Sequence, residues 1–365
     1  MLKIDLIAGA RPNFMKIAPI IDSIHQFQSE GKPIEYRLIH TGQHYDKNMS
    51  ASFFEQLNIP KPHYNLGAGG GSQAEQTAAI MIGYENLLKN YKPDLCLVVG
   101  DVNSTMACAI VAQKMHIKVA HIEAGIRSGD WTMPEEINRI VTDSITNYFF
   151  TTGAQADENL IKLGVSGKNI FRVGNTMIDS LLKHRKRFIK PAIWDEIGLR
   201  KNKFIVITLH RPANVDEESI LAELISELIE HSRDLPLIFP VHPRTAKILK
   251  DLSIKHPRLF LIEPLSYLEF NYLVENCSAV ITDSGGITEE TTVLAIPCMT
   301  LRNNTERPET ISIGTNELLG TNPKAIKPAM EKLFSGNWKK GRIPDLWDGN
   351  TAQRIVTILL ELFEE

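Results

Sequence analysis

Short, almost wholly apolar runs recur along this sequence, each followed by a polar turn and then by a stretch of helical spacing. The run Leu95-Cys96-Leu97-Val98-Val99 shows the type most plainly. It is too short for a buried helix and does not alternate, so it reads as a strand covered on both faces, as in parallel sheets flanked by helices. Strands of this kind are expected at Lys3–Ala8, Tyr36–His40, Val119–Ile122 and Asn147–Thr151, with helices at Asn13–Gln28, Gln73–Lys89 and Thr105–Met115. The second half repeats the scheme. Strands fall at Phe204–Thr208, Leu237–Val241 and Ala279–Thr282, and helices at Ile220–His231 and Thr288–Leu294. The pattern predicts an α/β protein. A chain of 365 residues exceeds one ordinary core, so two Rossmann-like, doubly wound domains are expected. They span residues 1–172 and 173–350 and face each other across a cleft, with a final helix (351–365) packing back on the first.

Open α/β sheets bind ligands beyond the carboxyl ends of their strands, so the polar residues just after each strand are the candidates. A net charge of −3 gives no support for a nucleic-acid or anionic-membrane surface. No window approaches a membrane span, and the charge-interrupted start is unlike a secretory leader. The four cysteines are widely spaced, without a CxxC pair, and read as reduced thiols of a cytoplasmic protein rather than disulfides or metal ligands. Neither half carries G-x-G-x-x-G after its first strand, which disfavours NAD. No Walker A, HExxH or nucleophile elbow is present.

The turns that remain are rich in charge. After the first strand, Gly9 to Lys16 places Arg11 and Lys16 at a helix N-terminus, either a phosphate-facing cluster or solvated cations of an ordinary turn. Asp101, after the most apolar strand, is either a helix cap, a task Ser104 could also take, or an acid–base residue. Glu123 closes an apolar strand and there needs a partner, for which Arg127 is available. Thr132 and Glu135 have capping-box spacing, and Arg139 lies four residues after Glu135, the spacing of a helical ion pair. Still, Asp101, Glu123, Glu135 and Glu136 are more carboxylates on one rim than capping requires. In the second half, His210-Arg211 and His242-Pro243-Arg244 follow strands, and Asp283-Ser284-Gly285-Gly286 leads into a helix as a phosphate loop would. Glu290 sits one turn in, placed for ribose hydroxyls or simply for the helix dipole. Arg302 and Glu306-Arg307 occupy the loop after the next strand.

The runs GARPNFMKIAP, TGQHYD, GDVNST, HIEAGIRSGD, MPEEINR, VGNTMID, HRPANVD, PVHPRT, DSGGITEE and NTERPE resemble those of the non-hydrolysing UDP-N-acetylglucosamine 2-epimerases. They occur in family order over nearly the whole chain. The resemblance implies the GT-B fold and interconversion of UDP-GlcNAc and UDP-ManNAc, with no cofactor and no metal. In that reaction UDP is eliminated to a 2-acetamidoglucal and added back. By motif, Asp101, Glu123, Glu135, His210 and Lys16 are expected to be catalytic. Arg11, Arg139, His242, Phe270, Ser284, Gly285, Gly286, Glu290 and Arg302 are expected to bind substrate. Gln43 and His44 lie where some members bind a regulatory nucleotide sugar. A homodimer serving polysaccharide biosynthesis is also implied. Competing readings are a related substrate such as a UDP-2,3-diacetamido-uronic acid, a GT-B glycosyltransferase, a hydrolysing epimerase, and a sensor without turnover.

Overall fold

Strand β1 (Leu2–Ala8) is buried at every position but Lys3. That requires cover on both faces, which parallel neighbours and flanking helices supply. In the computed structural model, which describes residues 1–42, 57–241, 243–252 and 254–364, the chain divides into two units. One comprises Met1–Lys183 and the stretch from Asp345 onward, the other His184–Pro344.

In the first unit β1, β2 (Ile34–His40), β3 (Tyr64–Asn65), β4 (Leu95–Val99), β5 (Lys118–Ile122), β6 (Tyr148–Thr151) and β7 (Ile170–Arg172) form one parallel sheet ordered β3-β2-β1-β4-β5-β6-β7. The intervening helices are α1 (Arg11–Ser29), α2 (Gln73–Asn90), α3 (Asn103–Lys114), α4 (Pro134–Ile145), α5 (Ala154–Lys162) and α6 (Thr176–His184). One side of its core joins Ile7, Ile39, Val98 and Val119 of the sheet to Ile80, Tyr84 and Leu88 of α2 and Cys108 and Val111 of α3. The last helix, α12 (Thr351–Leu362), packs against α1. Its first turn is held by the Asp179 carboxylate, which accepts the N–H groups of Thr351 (3.2 Å) and Ala352 (2.7 Å).

The second unit holds β8 (Ile205–Thr208), β9 (Leu237–Pro240), β10 (Leu259–Ile262), β11 (Ala279–Thr282), β12 (Cys298–Thr300) and β13 (Asn316–Leu318), again all parallel, ordered β10-β9-β8-β11-β12-β13. Its longer helices are α7 (Glu218–His231), α8 (Pro243–Asp251), α9 (Tyr267–Asn276), α10 (Gly285–Val293) and α11 (Ile326–Phe334). In each sheet the order reverses between two central strands, β1 and β4 in one and β8 and β11 in the other. The turns leaving those pairs open the crevice where such folds bind ligands. All four cysteines are buried and free. No helix among the described residues is long and apolar enough to cross a membrane.

Helix α10 opens at Gly285, three residues before the start expected from periodicity, because its first two residues are glycines. Helix α3 opens at Asn103 behind Val102, so neither Asp101 nor Ser104 caps it. Helix α4 opens behind Met133, and the predicted Thr132–Glu135 box does not form. Thr132 turns instead to Asp130, its hydroxyl donating to Oδ1 at 2.6 Å.

Candidate active site

Three turns leave the carboxyl ends of β1, β4 and β5, and their side chains converge. Asn13 accepts the N–H groups of Gly9 and Ala10 on Oδ1 (3.1 and 3.0 Å) and donates Nδ2 to the Val99 carbonyl (3.1 Å), tying the β1 turn to the end of β4. Next along α1, Lys16 donates Nζ to Glu123 Oε2 at 2.7 Å. Gly100 has a φ of +70°, and a Cβ there would stand 3.4 Å from Lys16 Nζ and 3.6 Å from Asn13 Nδ2. Its missing side chain keeps the space before that ion pair open. Glu123 is buried and itself has a φ of +67°, a left-handed backbone that costs a glutamate about 1–3 kcal/mol. Such strain persists where the surroundings over-determine a residue, and it aims this carboxylate toward Lys16.

Beside it, Arg139 grips Asp101 Oδ2 with Nε (3.0 Å) and Nη2 (2.5 Å) and donates Nη1 to Glu136 Oε2 (2.7 Å). Arg139 is buried, whereas the Asp101 side chain is 31% exposed. Burial alone would raise the Glu136 carboxyl. The N–H groups of Ser128 (2.9 Å) and Gly129 (3.0 Å), with Arg139, outweigh it and hold that carboxyl below its ordinary value. Glu135 is half-buried in the first turn of α4.

In the second unit Asp283, buried at the end of β11, organises the rim. It accepts the N–H groups of His210 (3.1 Å) and Arg211 (2.9 Å) and Nδ2 of Asn214 (3.0 Å), and lies 2.7 Å from His210 Nδ1. Burial would raise its carboxyl, but His210 and Asn214 hold it below the usual range. The carboxylate orients this largely exposed ring through Nδ1. Ser284 sits at the N-cap of α10 without a side-chain cap, and the first-turn N–H groups that follow form a ready anion site. A Cβ on Gly285 would approach Glu306 Oε1 to 3.0 Å, so glycine suits this close approach. Glu306 accepts Nη2 of buried Arg302 (2.6 Å), and Arg307 pairs with Glu289. One turn along α10, Glu290 is buried. Its carboxyl lies enclosed beside the Tyr267 hydroxyl and the Asn271 amide. Burial pushes the Glu290 carboxyl up to about 7 against the pull of Tyr267 and Asn271. Phe270 lies half-buried on α9, next to Asn271.

Lys16, Glu123, Asp101 and Arg139 thus gather in one unit, and His210, Ser284, Gly285, Gly286, Glu290 and Arg302 occupy the turns of the other. Two pairings differ from expectation. Arg127 does not neutralise Glu123 but pairs with Asp143 (2.7 Å), because Lys16 takes Glu123 from the neighbouring turn. Arg139 pairs with Asp101 and Glu136 rather than with Glu135, since Glu136 and Asp101 lie on its buried side. Gln43, His44 and His242 lie outside the described residues, as does the side chain of Arg11. Sequence reasoning assigned no role to Asp143, Asp283, Tyr267 or Asn271. Of these, only Asp283 carried a signal, as the polar residue ending an apolar strand.

Two parallel sheets of Rossmann order, each with charged residues gathered beyond its central strands, define a GT-B-type α/β enzyme. A model of the UDP-N-acetylglucosamine 2-epimerase family matches residues 27–360. The UDP-N-acetylglucosamine 2-epimerase of Methanocaldococcus jannaschii is 41% identical over 371 residues, 98% of this chain and 99% of that protein. The UDP-2,3-diacetamido-2,3-dideoxy-D-glucuronate 2-epimerase of Pseudomonas aeruginosa is 40% identical over 323 residues, 87% and 88% of the two chains. Among solved structures, UDP-GlcNAc 2-epimerase from Neisseria meningitidis bound to UDP-GlcNAc is similar with a TM-score of 0.89, at 30% identity over 99% of this chain and 100% of that one. The chain belongs to the UDP-N-acetylglucosamine 2-epimerase family and is an isomerase.

Proposed function

We propose that the protein interconverts UDP-GlcNAc and UDP-ManNAc at C2 without hydrolysis. The observation that carries this reading is the adjacent pair of cation-held carboxylates, Glu123 with Lys16 and Asp101 with Arg139, at neighbouring strand ends. C2 has no neighbouring carbonyl, so its proton is weakly acidic. The C1–O bond therefore breaks first, its electron pair leaving with UDP, and the positive charge growing at C1 acidifies C2. A carboxylate takes the proton, giving 2-acetamidoglucal and UDP. Return of the UDP oxygen to C1, with a proton delivered to the other face of C2, gives the epimer. Exchange on two faces calls for more than one carboxylate, for which Asp101, Glu123 and Glu135 are the candidates.

The second unit holds UDP. Charge growing on the diphosphate meets His210 and the open first turn of α10. A single preorganised donor of this kind contributes about 3–4 kcal/mol. The buried Glu290 carboxyl in the first turns of α10, beside Tyr267 and Asn271, supports a ribose site, whose hydroxyls would donate to the carboxylate. Phe270 lines the uracil side.

The near-equal likeness to the Pseudomonas aeruginosa enzyme favours one second reading, the same C2 chemistry on a UDP-2,3-diacetamido-uronic acid. Parallel incubation with both nucleotide sugars, followed by chromatography of the products, separates the two. The first reading expects kcat/KM at least about tenfold higher for UDP-GlcNAc. The reverse ratio would establish the second reading, and turnover of neither would refute both.

A further inference from the structure

His121 lies wholly buried on β5, two residues before Glu123, and no step above uses it. Its Nε2 is 2.8 Å from the Gly100 carbonyl, and its Nδ1 is 2.7 Å from Asp143 Oδ1. A carbonyl oxygen only accepts, so Nε2 donates. Asp143, also buried, accepts the Gly125 N–H (3.0 Å) on its other oxygen, which also forms an ion pair with Arg127 Nη2 at 2.7 Å. Burial would raise its carboxyl, but His121 and Arg127 hold it below the ordinary value. With Oδ2 turned to Gly125 and Arg127, Asp143 presents Oδ1 to Nδ1 of His121.

His121 and Asp143 thus form a strut with both ends on backbone. One end holds the peptide joining Gly100 to Asp101. Asn138 Nδ2 holds the next carbonyl, that of Asp101, at 2.9 Å, so both peptides flanking Asp101 are fixed. The other end holds Gly125, so the chain is anchored on both sides of Glu123 through the same aspartate. This accounts for a glutamate kept at a φ of +67°.

We propose that His121 is a positioning residue for epimerisation, fixing the placement of Asp101 relative to Glu123 through the Gly100 carbonyl and, via Asp143, through Gly125. The proposal rests on the reading of those two carboxylates as the acid–base pair. Displacement of a catalytic group by about 1 Å costs on the order of 100-fold in rate. His121→Phe removes both ring nitrogens, His121→Gln retains an amide N–H on the Nε2 side, and His121→Asn retains one on the Nδ1 side.

Turnover of UDP-GlcNAc and the thermal midpoint are measured for the wild type and all three variants. The expected result is kcat about 100-fold lower in the Phe variant, KM within about threefold of wild type, and at least tenfold recovery in Gln but not in Asn. A folded Phe variant with kcat near wild type would overturn the proposal. So would equal losses in Gln and Asn that follow their thermal midpoints, which is the mark of a merely structural residue. An inactive wild type refutes the underlying epimerase reading, and the proposal with it. Active wild type with unaffected variants refutes the proposal alone. A readout independent of variant folding is the 15N spectrum of histidine-labelled wild type at pH 7, assigned by the signal missing in His121→Gln or, should that variant not fold, by sequential connectivities. Nε2 of His121 should carry a proton, and an unprotonated Nε2 would overturn the proposal.

Discussion

Replacing Glu290 by glutamine probes the nucleotide pocket through stability as well as through binding. In the ligand-free protein, burial pushes Glu290 up from 4.5 to about 7, opposed by Tyr267 and Asn271 and assisted by Glu289. Between those two values the folded chain keeps a proton that the unfolded chain has lost. Stability from this group is therefore fully present below about 4.5 and declines as pH rises, levelling once pH passes about 7. The difference between the two values corresponds to about 3 kcal/mol. Glutamine has the shape of the protonated acid and never ionises. Glu290→Gln should therefore match the wild type near pH 4 and exceed its stability by about 3 kcal/mol at pH 8, read from denaturant midpoints. The same substitution removes the charged acceptor for the ribose hydroxyls, so UDP should bind at least about tenfold more weakly. Opposite signs in stability and binding are the signature. A variant no more stable than wild type at pH 8 would refute the idea that this carboxylate is buried at a cost that the nucleotide relieves.

The carboxylates and their supports give further expectations. Glu123→Gln keeps the shape but removes both the base and the partner of Lys16, so kcat should fall at least about 100-fold with KM changed only a few-fold; near-normal kcat would remove Glu123 from the mechanism. Asp283→Asn frees His210 to adopt the other tautomer, and kcat should drop by about 10²–10⁴, with the pH–rate profile displaced; an unchanged profile would mean that Asp283 does not set the tautomer. Gly125→Ala places a Cβ 2.3 Å from the Ala156 carbonyl oxygen at a φ of +77°. The loss should exceed about 3 kcal/mol by thermal or denaturant melting, and a stable variant would show that the α5 contact yields easily.

Strand positions were legible because burial on both faces leaves an uninterrupted apolar run. Leu95–Val99 and Ala279–Thr282 read from the sequence are the strands observed. Since each run stops where the chain meets the rim, the polar residues that follow, Asp101, Glu123, His210 and Ser284, were legible too. Partner choice was not. Arg139 reaches Asp101 across 38 positions, and Lys16 reaches Glu123 across 107. Local spacing favoured Glu135 and Arg127, which are near in sequence but are not the partners the sheet order provides. Helix α9 escaped notice although Ser266 and Glu269 form the capping box that marks its start. Asp143 and Asn271 lie in helices, where an isolated polar residue looks like surface until the fold shows that it faces inward. The sheet order that brings the turns of β1, β4 and β5 together is a long-range property that periodicity does not encode.

Proton NMR of the purified protein with UDP-GlcNAc alone in D2O tests the proposed chemistry most directly. UDP-ManNAc should appear with deuterium at C2, and deuterium should also enter C2 of the UDP-GlcNAc that remains, without free ManNAc accumulating. Epimer formed with the C2 proton retained, or release of free ManNAc in step with UDP, would contradict elimination and re-addition through these carboxylates.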